Sequence, residues 1–81
     1  MGAPLPDVSL DLRGTPCPLN FIRTRLALET LAPGARLQVS LDRGEPEQMV
    51  REGIAKAGHA VGVSPHPDDA TAVILVIVPC G

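Results

Sequence analysis

Few side chains in this 81-residue sequence can do chemistry beyond ion pairing, and the one with the most informative neighbours is Cys17. It lies in Arg13-Gly14-Thr15-Pro16-Cys17-Pro18-Leu19-Asn20, where an extended segment gives way to a helix. Val8-Ser9-Leu10-Asp11-Leu12 alternates apolar and polar residues, the pattern of a half-buried strand. Gly14 and Pro16 break that strand, glycine by allowing a sharp turn and proline by giving up a ladder donor. Pro18 suits the first helical position, because its φ is already near the helical value and its missing N–H has no partner there. Cys17 is thereby expected at or next to the N-cap, beside unpaired N–H groups and the positive end of the helix dipole. A free cysteine is only about 3% thiolate at neutral pH, and helix N-termini favour the thiolate. Two readings stand side by side: a nucleophilic or carrier thiol, and a small residue filling space at a helix start.

The other candidates are weaker. Arg13 is close enough in sequence to add positive potential near the thiol, or is a solvated surface group. Cys80 is a second thiol that could resolve a reversible disulfide with Cys17, or an incidental residue beside the terminus. His59 and His66 share zinc's ligand chemistry with the cysteines, but no Cys-x-x-Cys or His-x-x-x-His pair exists, so no metal site is expected. His59 reads better as a cap on a helix end, and His66 as an exposed residue of a proline-flanked loop. No base lies close in sequence to Cys17, which argues against a Cys–His hydrolase. There is no glycine-rich phosphate loop and no paired-carboxylate signature. So short a chain also has little room for a deep substrate pocket. A thiol that exchanges its cargo with larger proteins fits better than a self-contained enzyme.

The elements that must position Cys17 follow from periodicity and breakers. Residues 1–7, with two prolines and little to pack, read as a frayed lead-in to a single domain spanning 1–81. Val8 to Leu12 is the first strand. The first helix is expected from about Pro18 to Leu31, ended by Ala32-Pro33-Gly34, with Phe21, Thr24, Leu28 and Leu31 on its core face. Leu19, Ile22 and Leu26 form a second apolar stripe that begins beside Cys17. It reads as a docking surface for a partner protein, as part of a deeply buried helix, or as scattered exposed apolar residues without meaning. Ala35 to Leu41 alternates as a strand, and Pro46 with Glu45 and Glu47 opens a second helix running to about Ala57, closed by Gly58. Val50, Ile54 and Ala57 share its inner face. His59 to Ser64 and Ala72 to Val78 complete the strands, the last continuous, β-branched and central.

The order β-α-β-α-β-β implies an α/β (α+β) two-layer sandwich. Its mixed four-stranded sheet carries both helices on one face, with parallel pairing in the strand–helix–strand units and an antiparallel final pair. The opposite sheet face would then be bare, exposing Ile74, Val76 and Val78, and allows a monomer or a weak homodimer.

Composition sets limits on this picture. Phe21 is the lone aromatic, so aliphatic residues build the core. A net charge of −2 and a pI of about 5.5 offer no basic patch, so direct nucleic-acid contact is not expected. Two cysteines are too few for a stapled secreted scaffold. The N-terminal residues do not read as a signal peptide, and the run from Ala72 to Val78 is too short to span a bilayer. A cytoplasmic protein without membrane contact is the expectation.

Asp11-Leu12-Arg13-Gly14-Thr15-Pro16-Cys17-Pro18, followed by a helix and Pro33-Gly34, resembles the TusA/SirA-like sulfur-carrier family. Asp42, the second helix and Gly58-His59 also fall where that family has them, so the resemblance runs from about Val8 to Val78. Its most specific part is the Asp-x-Arg-Gly-x-x-Cys-Pro run, and the family fold has the element order derived above. The resemblance implies that Cys17 accepts sulfane sulfur as a persulfide and needs no other cofactor. The donor would be a protein such as a cysteine desulfurase or rhodanese. The acceptor would be another protein, in tRNA thiolation, cofactor assembly or sulfur oxidation. Pro18 matches the first motif proline. The family's second proline, in Cys-Pro-x-Pro, is replaced by Asn20, which loses rigidity in the first turn and adds an amide able to hydrogen-bond near the thiol. Against sulfur transfer stand two other readings, a dithiol redox or sensing protein using Cys17 and Cys80, and a non-catalytic interaction module.

Overall fold

The computed structural model describes residues 8–32 and 34–79. Its elements are β1 (Val8–Asp11), α1 (Leu19–Glu29), β2 (Leu37–Asp42), α2 (Glu45–Lys56), β3 (Ala60–Pro65) and β4 (Ala72–Val78). All six expected elements are present, in the expected order. The sheet order is β1-β2-β4-β3, with β1 parallel to β2 and β4 antiparallel to both β2 and β3. The expected parallel pairing therefore holds directly for the first strand–helix–strand unit alone. In the second unit, β2 and β3 run the same way but β4 lies between them. The physical reason is that β4, Ala-Val-Ile-Leu-Val-Ile-Val, is apolar enough to be flanked on both edges, whereas β3 carries Gly62, Ser64 and Pro65 and stays at the sheet edge.

The period-two pattern decides which face is covered. Leu37, Val39 and Leu41 of β2 and Val73, Leu75 and Ile77 of β4 are almost fully buried, and they form one cluster with Leu12, Val50 and Ile54. Phe21, Ala27, Leu28 and Leu31 from the α1 side pack on the same cluster, so both helices cover one face. On the other face Ser9 stands opposite Gln38, and Ser40 opposite both Asp11 and Ile74. Ile74 and Val76 are half-buried there, and Val78 is exposed.

The ends of β4 match expectation, and the other element ends differ from it by at most two residues. Pro18 is the N-cap of α1 rather than its first residue. At the other end, Thr30 Oγ1 donates to the Ala27 carbonyl at 3.1 Å, a competing local bond that ends the helix before Leu31. Pro33 lies outside the described residues. Helix α2 starts after Gly44, carries Glu45 and Glu47 in its first turn and Lys56 in its last, and so is charged in the sense its dipole favours. Gly58, at φ +97°, closes it in the left-handed conformation expected of a terminating glycine.

Candidate functional site

Cys17 is exposed and directly precedes the α1 N-cap, with a cis peptide bond to Pro18. The loop that presents it is tied down on three sides. Leu12 is 2% exposed and roots the loop in the core. Thr15 N–H donates to the Leu12 carbonyl at 3.0 Å, closing a turn whose third residue, Gly14, sits at φ +76°. That is the position and sign of φ for which a type II turn selects glycine. Gly14 N–H in turn donates to Asp42 Oδ2 at 2.8 Å, fastening the turn to the end of β2.

Arg13 is held between two carboxylates. Its Nε donates to Asp11 Oδ1 at 2.8 Å, its NH2 to Asp11 Oδ2 at 2.7 Å and its NH1 to Asp69 Oδ2 at 3.2 Å. Asp69 Oδ1 accepts from Thr71 N–H at 2.9 Å and Thr71 Oγ1 at 2.6 Å, so the clamp joins the end of β1 to the turn before β4. The Arg13 side-chain hydrogen bonds hold the Asp11 carboxyl down at about 2, and Asp11 in turn raises Arg13. Asp69 is also lowered, first by its bond from the Thr71 hydroxyl. The expectation of free positive potential from Arg13 is thus replaced by a neutralised cross-link, because two acids share the guanidinium.

Asn20 departs from expectation too. Its amide is expected to hydrogen-bond near the thiol, but the residue is fully buried, and its Oδ1 accepts from Phe21 N–H at 2.7 Å. Its Nδ2 is buried without a hydrogen-bond partner. Below it, Thr24, also fully buried, donates from Oγ1 to the Asn20 carbonyl at 2.9 Å. The core face of α1 is therefore more polar at its start than the Phe21/Thr24/Leu28/Leu31 reading implied.

The second stripe is on the surface. Leu19, Ile22 and Leu26 are 41%, 46% and 56% exposed, which excludes a helix buried all round. Met49 of α2 is 47% exposed, and the Cys17 thiol donates to its Sδ at 3.6 Å. Nothing in the sequence reading singled out Met49. The signal that could have led there is Gly53, an isolated glycine inside a helical pattern, which commonly marks a close packing contact. An open hollow of about 620 Å³ lies over the same flank of α2, lined by Met49, Glu52, Gly53, Ala55 and Lys56.

The remaining candidates lie elsewhere. His66 Nδ1 accepts from Asp68 N–H at 3.0 Å within its loop, where the ring is half-buried rather than fully exposed. His59 follows Gly58, and its backbone N–H donates to the Ile54 carbonyl at 3.4 Å, which ties its backbone to the α2 terminus. Among the described residues no three His, Cys, Asp or Glu side chains gather as a metal site, and no helix is long and apolar enough to cross a membrane. Cys80 lies outside the described residues.

With this geometry in hand, comparison with known proteins is informative. Residues 8–77 match the family described as Sulfurtransferase TusA. A protein of Thermotoga maritima, named "Putative sulfur carrier protein", is 36% identical over 53 residues, covering 65% of this chain and 67% of the relative. An Archaeoglobus fulgidus protein of the same name is 38% identical over 52 residues, covering 64% of this chain and 59% of the relative, less than two thirds of its length. The crystal structure of a SirA-like protein from Desulfitobacterium hafniense superposes with a TM-score of 0.72 at 20% identity. It covers 86% of this chain and 93% of that one, which shows a common fold. The names of the family and of both relatives are those of sulfur carriers. On a match that spans the described residues almost end to end, the chain belongs to the TusA sulfurtransferase family.

Proposed function

We propose that this protein carries sulfane sulfur as a persulfide on Cys17 and relays it between two proteins. The observation that supports this most directly is the exposed thiol at the start of α1, two residues before the exposed Leu19/Ile22/Leu26 stripe begins. In loading, the Cys17 thiolate attacks the outer sulfur of a donor persulfide. A new Sγ–S bond forms, the donor's S–S bond breaks, and the donor leaves as a thiolate with the electron pair. In discharge an acceptor thiolate attacks the outer sulfur on Cys17, and Cys17 is the leaving thiolate. Both steps are exchanges at sulfur that need no external oxidant. The partner proteins supply whatever further groups the chemistry requires, which suits a thiol presented at the surface.

Arg13, Gly14, Asp11 and Asp42 serve this role by fixing the loop, and Pro18 by starting the helix beside the thiol. The stripe gives a partner apolar area next to the reacting atom, where a few well-packed side chains supply most of the binding energy. Donor proteins of the cysteine desulfurase or rhodanese type fit the loading step. Incubation with such a persulfide donor, followed by intact mass spectrometry, is expected to show single-sulfur adducts on the parent protein and none at this site in Cys17→Ser. Equal labelling of Cys17→Ser would overturn the proposal.

A further inference from the structure

The sulfur of Met49 is 3.6 Å from that of Cys17, although Met49 lies 32 residues further along the chain, on α2. Both side chains are exposed, so burial does not force them together. What brings them together is the packing of α1 on α2 one turn below. Gly53 follows Met49 by four residues on the same flank of α2, and a Cβ at Gly53 would meet Phe21 Cε1 at 2.5 Å. The missing side chain lets the two helices close, and that approach carries Met49 over the thiol. A thioether accepts only weak hydrogen bonds and donates none, but it is polarizable and bulky. It cannot act on a substrate as acid or base. It can fix the direction of a neighbouring S–H and cover one side of the sulfur.

We infer that Met49 is a positioning residue for the Cys17 sulfur. Its thioether holds that sulfur from the α2 side, so that a sulfur atom loaded on Cys17 faces the Leu19/Ile22/Leu26 stripe and is screened from small thiols. The transfer half of this inference rests on the sulfur-carrier reading; the contact itself does not. The test uses the full chain in a Cys80→Ser background, which leaves one thiol. In the resting protein, the Raman S–H stretch of Cys17 is expected at a hydrogen-bonded frequency. It should move to that of a free thiol in Met49→Leu, and in protein with norleucine in place of its two methionines, Met1 and Met49. Alkylation of Cys17 by iodoacetamide is expected to be about two- to threefold faster in Met49→Ala, which uncovers one side of the sulfur, and close to parental in Met49→Leu, which restores the bulk. After loading with inorganic polysulfide, discharge by glutathione should be faster from Met49→Ala by a similar factor. Met49 is exposed, so these variants are expected to fold, which far-UV circular dichroism checks. An S–H band unchanged in Met49→Leu, or alkylation unchanged in Met49→Ala, overturns the positioning role. A parent protein that takes up no sulfur overturns the carrier reading and the transfer half with it, and the Raman result then bears on the contact alone.

Discussion

Replacing Gly53 by alanine sets two opposite effects against each other at one atom. In a helix interior the change is ordinarily favourable by about 0.5–1 kcal/mol, because alanine loses less backbone entropy on folding. Here the new Cβ would lie 2.5 Å from Phe21 Cε1 and 3.1 Å from both Cδ1 and Cζ, whereas carbon atoms prefer about 3.5–4.0 Å, so ring and helix must separate by about 1 Å. Overpacking of this kind costs about 1–3 kcal/mol, since the ring cannot pivot without disturbing the core cluster it joins. The clash wins, with a net loss of about 1 kcal/mol and a Tm lower by about 4–8 °C for a domain of this size. Thermal unfolding followed by circular dichroism measures the shift, and urea unfolding checks that m is unchanged. Phe21→Leu in the same chain removes the clashing ring edge, so the double variant should lose less than the sum of the singles. Because the same approach seats Met49 over Cys17, alkylation of Cys17 should also quicken in Gly53→Ala. A Tm raised by several degrees in Gly53→Ala with Phe21 intact would refute the reasoning.

Two further outcomes are expected. Asp11 is held at about 2 by Arg13, against an ordinary value of 3.8, so its contribution to stability is present above about pH 4 and is lost as pH falls through about 2. Asp11→Asn should flatten the acid limb of Tm against pH between those values, and an unaltered acid limb would remove the clamp from the account. On the stripe, Ile22→Asp and Leu26→Lys alter residues about half exposed, so Tm should stay nearly constant, with stability changed by about 0.5 kcal/mol or less. Sulfur delivery from a protein donor should drop by about tenfold or more, while loading from inorganic polysulfide persists. Equal losses from both sources would argue against a docking role.

The sequence by itself determined the element order and the covered face, because both rest on local periodicity. Leu37, Val39 and Leu41 alternate whatever lies beside them, and Pro and Gly punctuate the helices without help from distant residues. It also determined the position of Cys17 at the start of α1 and the separate Leu19, Ile22 and Leu26 stripe, which follow from helical spacing, whereas the exposure of that stripe was decided by packing. Tertiary structure alone decided how the pieces meet. That β4 separates β2 from β3 depends on which strand best tolerates two neighbours, a comparison among strands rather than a property of one. Arg13 ends as a charge-compensated cross-link because Asp69, 56 residues away, comes within 3.2 Å of it. Asn20 is fully buried at the start of α1, which depends on what packs over that turn. The Met49 contact at Cys17 arises from a glycine that admits an aromatic ring between two helices. The thiol was legible in the chain, and its surroundings had to be folded into place, since each is a distance between residues far apart in sequence.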